Sequence, residues 1–276
     1  MADARTGSAV AAALTVAARL GLPTTSPEVL HERSNVLVRL GPVVARVPAT
    51  VLLARPDPAP WPARDVAVSR YLTERGVLVV SPTTDPQPGP HFADGLPVTL
   101  WHYTPHDPDV EYAPAEIAKS LARVHTALRD YPGELPLRGP LDDLDRIFAA
   151  HGDSMDGAAP RLRAEAERLE AAIPTNSVQA LHGDAHPGNV LATAAGPCWL
   201  DFEDTWRGPL AWDLATLVKQ SSREALDGYP GEVDEASFEP CLELRRLFAV
   251  CWRFVIAKRF PHRLSEAREE LERYFV

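Results

Sequence analysis

The chain has 276 residues, 45% of them hydrophobic and 24% charged, which suits a soluble globular protein large enough for one two-lobed domain or two ordinary ones. Its 28 basic against 38 acidic residues leave a formal charge of −10, which argues against a nucleic-acid partner, since phosphate-backbone binding needs clustered Lys and Arg, and is compatible with a cationic small substrate. No apolar run approaches the roughly eighteen residues needed to span a bilayer and the first residues lack a secretory pattern, so a cytoplasmic protein without a membrane partner is expected; Cys198, Cys241 and Cys251, without CxxC spacing, suggest neither a disulfide framework nor a structural zinc site.

Residues 8–20, small and apolar and closed by Gly21, predict a short helix. Three short strands follow: Val29–His31, a polar turn at 32–35, then Val36–Leu40, a Gly41-Pro42 turn, and Val43–Val47. After the proline-rich "RPDPAPWP", residues 63–76 predict a helix packed on the sheet. "GVLVV" (76–80) and "LPVTLWHY" (96–103) are two further strand candidates, completing an α+β unit over residues 1–101. From 102 to 276 the texture is helical. A helix is expected over 115–131 with Ile117, Leu121, Val124 and Leu128 on one stripe and His125 at its border as a packed, hydrogen-bonded residue. Helices at 141–150, 159–173, 209–221, 237–260 and 264–275 follow. The fold class is therefore α+β, with a small antiparallel-sheet lobe, a mostly helical large lobe, and a cleft between them near 100–105 where a ligand would bind.

One stretch interrupts the helices: "LHGDAHPGNVLATAAGPCWLDFED", residues 181–204. Pro187-Gly188 forbids a helix interior, and "NVLA" and "CWLDF" predict a tight hairpin. Asp184 and Asn189 then lie on the loop before the hairpin and Asp201 at its far end, so the three can converge. A zinc site on His182 and His186 is one reading, although Pro187 spoils the helical HxxxH spacing and no Glu follows His182. Polar residues tying loops together is another. The third is phosphoryl transfer, which needs a carboxylate to accept the attacking hydroxyl's proton and hard oxygen ligands for Mg²⁺. Asn189 follows Asp184 by five residues, the interval of the catalytic loop H-R-D-x-x-x-x-N, and Asp201 comes twelve residues later across the hairpin.

"HGDAHPGNVL", "LDFED" and the downstream "GPLAWDLATL" resemble the aminoglycoside phosphotransferase and choline kinase-like family, which has a two-lobed protein-kinase-like fold. By that resemblance Asp184 is the catalytic base, Asn189 and Asp201 bind Mg²⁺, Asp213 braces the catalytic loop, and His182 and His186 orient it. Glu203 and Asp204 would touch the metal shell or a substrate amine, or stand solvated. The family pattern puts Arg46 of "VVARV" where kinases carry a phosphate-binding lysine, and Asp65 as its helix partner; arginine keeps the charge but presents a planar fork. The expected phosphate loop, "ERSNV", has no glycine, so Ser34 and Asn35 would offer hydroxyl, amide and backbone N–H groups. Trp101 and His102 of "LWHY" would present backbone groups to the purine of ATP or GTP. The implied reaction moves the γ-phosphate to a hydroxyl of a small, amine-bearing acceptor: an aminoglycoside or other basic antibiotic, or else a choline, amino-alcohol, homoserine or sugar acceptor. Asp142, Asp143, Asp145, Glu232, Asp234 and Glu235 would read the amine or simply be solvated. A catalytically silent nucleotide-binding protein of the same fold is the alternative from another class.

Overall fold

The structure, a computed structural model, describes residues 3–174 and 177–276. Helix α1 (Ala4–Arg19) starts where Asp3 accepts hydrogen bonds from the N–H groups of Arg5 and Thr6. Its Ala9, Ala12, Ala13, Val16 and Ala17 recur at helical spacing and pack against one face of the first sheet, on Val36, Val38, Ala45, Val47 and Leu100. Small side chains let the helix axis approach the strands closely.

That sheet has five antiparallel strands in the order β1-β2-β3-β5-β4: β1 (Glu28–Glu32), β2 (Asn35–Leu40), β3 (Val43–Pro48), β4 (His91–Ala93) and β5 (Leu96–His102). Strand period two assigns the other face. Leu37, Val44 and Trp101 pack there with Val66, a residue of helix α2 (Pro60–Glu74). Arg46 has the same parity as Val44, opposite Leu37 in β2 and Thr99 in β5, so β3 aims it at α2 and the helical body.

Two expectations change here. Residues 76–80 do not form a sheet strand. Leu78 and Val80 bond through their backbones to Trp199, and so leave the first sheet for the hairpin of residues 190–199. The fifth strand is instead His91–Ala93, joined to β5 by Asp94-Gly95, both at positive φ, the backbone that a two-residue hairpin turn requires. Helix α2 also begins three residues before the expected start, with Pro60 and Pro62 in its first turn, where a missing N–H removes no helical bond.

Beyond the sheet lie α3 (Pro114–Leu128), α4 (Gly139–His151) and α5 (Ala159–Ala172). The chain then passes through the two-residue strand β6 (Gln179–Ala180), the hairpin β7 (Val190–Thr193) and β8 (Gly196–Trp199), and β9 (Arg207–Gly208), which pairs with β6. Helices α6 (Leu210–Gln220), α7 (Glu235–Arg259) and α8 (Leu264–Tyr274) complete the fold. Among the described residues no helix is long and apolar enough to cross a membrane.

Arg259, at the end of α7, ties the sheet to the helices. Its side chain is 1% exposed, pairs with Asp3 at 2.7 Å, and donates to the hydroxyls of Thr6 and Thr50 and to the carbonyl of Arg33. The turn between β1 and β2 is thereby fastened to the helical body.

Candidate active site

The loop 181–189 is built on buried hydrogen bonds. Asp213, in the first turn of α6, accepts from the backbone N–H of His182 at 2.7 Å and of Gly183 at 2.9 Å, and His125 Nε2 lies 2.9 Å from the same carboxylate. The indole of Trp212 donates to the Gly183 carbonyl at 2.7 Å. A buried loop must have its polar backbone satisfied in this way. Gly183 is at φ +90°, and a Cβ there would stand 2.0 Å from the carbonyl oxygen of Asp204. Gly183→Ala is therefore expected to displace the loop and to lower by roughly a hundredfold any reaction that depends on the position of Asp184, the usual effect of misplacing a reacting group by about 1 Å. Steady-state kinetics beside a melting curve checks this.

His182 is fully buried between Trp199 and Phe202; its Nε2 donates to the Leu200 carbonyl and its Nδ1 accepts from the Asp184 N–H. Burial pushes its pKa down, which keeps the ring neutral. With both nitrogens engaged it has no lone pair for zinc, so the His182/His186 zinc reading is rejected. His186 accepts from the Gly188 N–H through Nδ1 and sets Nε2 at 3.3 Å from Asp184 Oδ2.

Asn189 donates through Nδ2 to the Asp184 carbonyl at 2.9 Å, with Asp184 Oδ2 at 3.5 Å, which leaves its amide oxygen as a free acceptor. The Asn189 carbonyl accepts from Leu200 N, which places Asp201 next in line; Asp201 sits at φ +72° with its side chain 26% exposed. His182 and Asp204 each feel the charges of both Asp184 and Asp201. Asn189 and Asp201 would offer oxygen ligands to a divalent ion such as Mg²⁺, which prefers one or two protein ligands completed by phosphate and water. Among the described residues no group of three His, Cys, Asp or Glu side chains forms a metal cluster of its own.

Asp184 has an unforeseen neighbour. Arg245 of α7 donates through Nη2 to its Oδ1. Burial would raise the pKa of Asp184, but Arg245 and His186 hold it well below the usual carboxylate range. Nothing local in "LELRRLF" marked Arg245, because its meaning comes from a contact 61 residues away in sequence.

Arg46 forms the second charged centre, 2.6 Å from Asp65 and 2.9 Å from Glu203, with a further bond to Asp201. Burial opposes its charge, yet Asp201, Glu203 and Asp65 hold its pKa above the ordinary value. Burial lifts Asp65 to about 6 and Glu203 to about 8, against the pull of Arg46. Asp65 also accepts from the Phe202 N–H, so one α2 residue positions both Arg46 and the segment carrying Asp201. Arg55, from the proline-rich stretch, is buried and engages Asp143 and Asp204. Glu203 and Asp204 are therefore held by internal arginines.

Other expected site residues are placed differently. Asn35 is buried, with its amide between Glu203 and Arg46. Ser34 closes the turn, its carbonyl accepting from Ala49 and Thr50. Trp101 is buried and donates its indole N–H to Thr99, while His102 is exposed. The backbone N–H groups of His102 and Tyr103 go to the carbonyls of Ser81 and Pro42, so these two donors do not face a purine edge.

A family model described as the phosphotransferase enzyme family (APH) matches residues 4–248. No relative among the curated proteins matches the chain. Among solved structures, the amicoumacin kinase hAmiN in complex with AMP-PNP, Ca²⁺ and Ami superposes with a TM-score of 0.68 at 15% identity, over 94% of this chain and 92% of that one. The choline kinase LicA from Streptococcus pneumoniae gives 0.67 at 14% identity, over 94% and 98%. The GDP and kanamycin complex of APH(2")-IIia gives 0.64 at 17% identity, over 94% and 97%. These likenesses establish a common fold.

Proposed function

Because the chain belongs to the phosphotransferase enzyme family, we propose that it moves the γ-phosphate of ATP or GTP, as its Mg²⁺ complex, to a hydroxyl of a small-molecule acceptor. The observation that carries this is the joined Asp184–Asn189 pair with Asp201 one residue beyond the Leu200–Asn189 bond. Phosphoryl transfer asks little covalent work of a protein, so positioning and charge neutralisation dominate. Bound Mg²⁺ would be held by Asn189 and Asp201 and would neutralise phosphate oxygens. Asp184 would orient the acceptor hydroxyl and take its proton late, since its depressed pKa makes it a weak base toward an unreacted alcohol. Arg46, anchored by Asp65, would meet the phosphates.

The acidic balance of the chain suggests a cationic acceptor such as a basic antibiotic, but the side chains that would read its amine offer that reading little support. The acids offered for the amine are largely engaged: Asp142 and Asp145 by Arg138, Asp143 by Arg55 and Arg146, and Glu235 by Arg223, while Asp234 caps α7. The test is a panel of amine-bearing antibiotics, amino alcohols, sugars and hydroxy acids incubated with Mg²⁺ and ATP or GTP. A mass gain of one phosphoryl group on an acceptor, abolished by chelation, is expected; nucleotide that binds without turning over would favour the catalytically silent nucleotide-binding reading, and nucleotide that does not bind would reject both.

A further inference from the structure

Beside the Asp184 loop lies a recess of about 50 Å³, whose wall includes Gly183, Asp204, Trp212 and Phe248. A site of this size holds a handful of water molecules or a group of comparable bulk, such as a carboxylate. Gly183, next to Asp184, and Arg245, which holds the Asp184 carboxylate, belong to this wall, whereas Asn189, Asp201 and Arg46 do not.

Its wall carries four arginines, Arg55, Arg64, Arg146 and Arg245, against three acids, Asp142, Asp143 and Asp204. The acids are all taken. Asp142 pairs with Arg138 outside the recess, Asp143 with Arg55 and Arg146, and Asp204 with Arg55. Besides Arg146, which makes one bond to Asp143 and is more exposed, two of the arginines still have donors to give. Arg64 makes a single hydrogen bond, from Nη1 to the Glu203 carbonyl at 2.8 Å, and no carboxylate lies in salt-bridge range of it among the described residues. Burial pushes its pKa down, against the pull of Asp204, with Arg55 nearby adding to the fall. Arg245 is 8% exposed; its Nη2 holds Asp184, and its buried Nε has no hydrogen-bond partner among the described residues. An unsatisfied buried guanidinium N–H is costly unless a ligand completes it. The Arg245 guanidinium lies 5.8 Å from the centre of the Trp212 ring and 5.4 Å from that of Phe248.

We propose that the acceptor is an anionic alcohol, most simply a small hydroxy acid, whose carboxylate is received by Arg64 and Arg245 while its hydroxyl faces Asp184. The inference rests on the kinase reading above and narrows its acceptor. Arginine suits the task because its planar fork matches a carboxylate with two parallel bonds. Arg245 then touches both the acceptor and Asp184, so binding the correct acid fixes the orientation of the proton acceptor.

The test titrates small hydroxy acids, their amides and matched amino alcohols into the chain loaded with Mg²⁺ and a non-hydrolysable nucleotide, followed by melting temperature, with transfer to each compound measured in parallel using ATP or GTP. Hydroxy acids are expected to stabilise the loaded chain and to exceed their amides in kcat/KM by about ten- to a hundredfold, the usual worth of a hydrogen bond to a charged group. Arg64→Ala should erase that preference by raising KM for the acid alone, with nucleotide affinity unchanged; Arg64→Lys should restore only part of it. The proposal is overturned if amides or amino alcohols serve as well as acids, if no acid stabilises the loaded chain, or if Arg64→Ala weakens the nucleotide instead, which would assign these arginines to the γ-phosphate. Failure of Mg²⁺-nucleotide to bind at all marks failure of the kinase reading, a different result from binding without acid preference.

Discussion

Asp184→Asn is expected to lower phosphoryl transfer by about 10²- to 10⁴-fold while leaving nucleotide affinity close to that of the parent. The substitution keeps the volume and the contacts with Asn189 but removes the proton acceptor. It also leaves Arg245 facing a neutral amide. Breaking a buried pair costs about 3–5 kcal/mol, and the 23% exposure of the Asp184 side chain places the expected loss at the lower end. The pH dependence carries a sign. Because the folded pKa of Asp184 lies below its ordinary value of 3.8, its contribution to stability is fully present above that value and is lost only as acid brings the pH down through the depressed one. The variant should therefore be less stable than the parent at neutral pH, and the difference should shrink in strong acid. Melting curves across pH check the stability claim, and single-turnover transfer checks the rate. A variant that still transfers phosphate at the parental rate would remove Asp184 from the reaction.

Asp201→Asn should act earlier in the cycle, weakening the Mg²⁺-nucleotide complex by roughly a hundredfold and slowing transfer as well. Losing a carboxylate ligand should matter at least as much as losing an outer-shell partner, which alone costs about 10- to 100-fold in metal affinity. Asp201 is also one of three acids around Arg46, so its neutralisation leaves Arg46 with Asp65 and Glu203 and should not unfold the chain. Calorimetric titration of nucleotide at several Mg²⁺ concentrations reads the effect. Unchanged Mg²⁺ dependence would exclude Asp201 from the metal site.

What the sequence revealed depended on distance along the chain. The 181–204 stretch was legible because Asp184, Asn189 and Asp201 lie within one loop and hairpin, where spacing constrains geometry. The helix expected over 115–131 was legible from its apolar stripe, Ile117, Leu121, Val124 and Leu128, all of which are buried in α3. Residues 76–80 misled because a short run of Val and Leu is equally suited to a sheet strand and to a segment crossing toward Trp199. Strand β4 was hidden in a turn-rich stretch, although Asp94-Gly95 is the turn signal that would have found it. Arg55, Arg64 and Arg245 were unreadable for a different reason: each acquires its role from partners far away in sequence, and single arginines on helices and loops are ordinary. The same long-range pairing engages most of the acids that had suggested an amine-binding surface.

The proposed function requires Asp184, Asn189 and Asp201 to meet around a divalent cation. Its most direct measurement is a crystal structure of the chain with a non-hydrolysable nucleotide and Mn²⁺, which favours the same oxygen ligands and can be located by its anomalous scattering. The predicted result is an anomalous peak ligated by Asn189 Oδ1, an Asp201 carboxylate oxygen and the nucleotide phosphates, with the terminal phosphate turned toward Asp184. A metal–nucleotide complex bound away from these three side chains would contradict it.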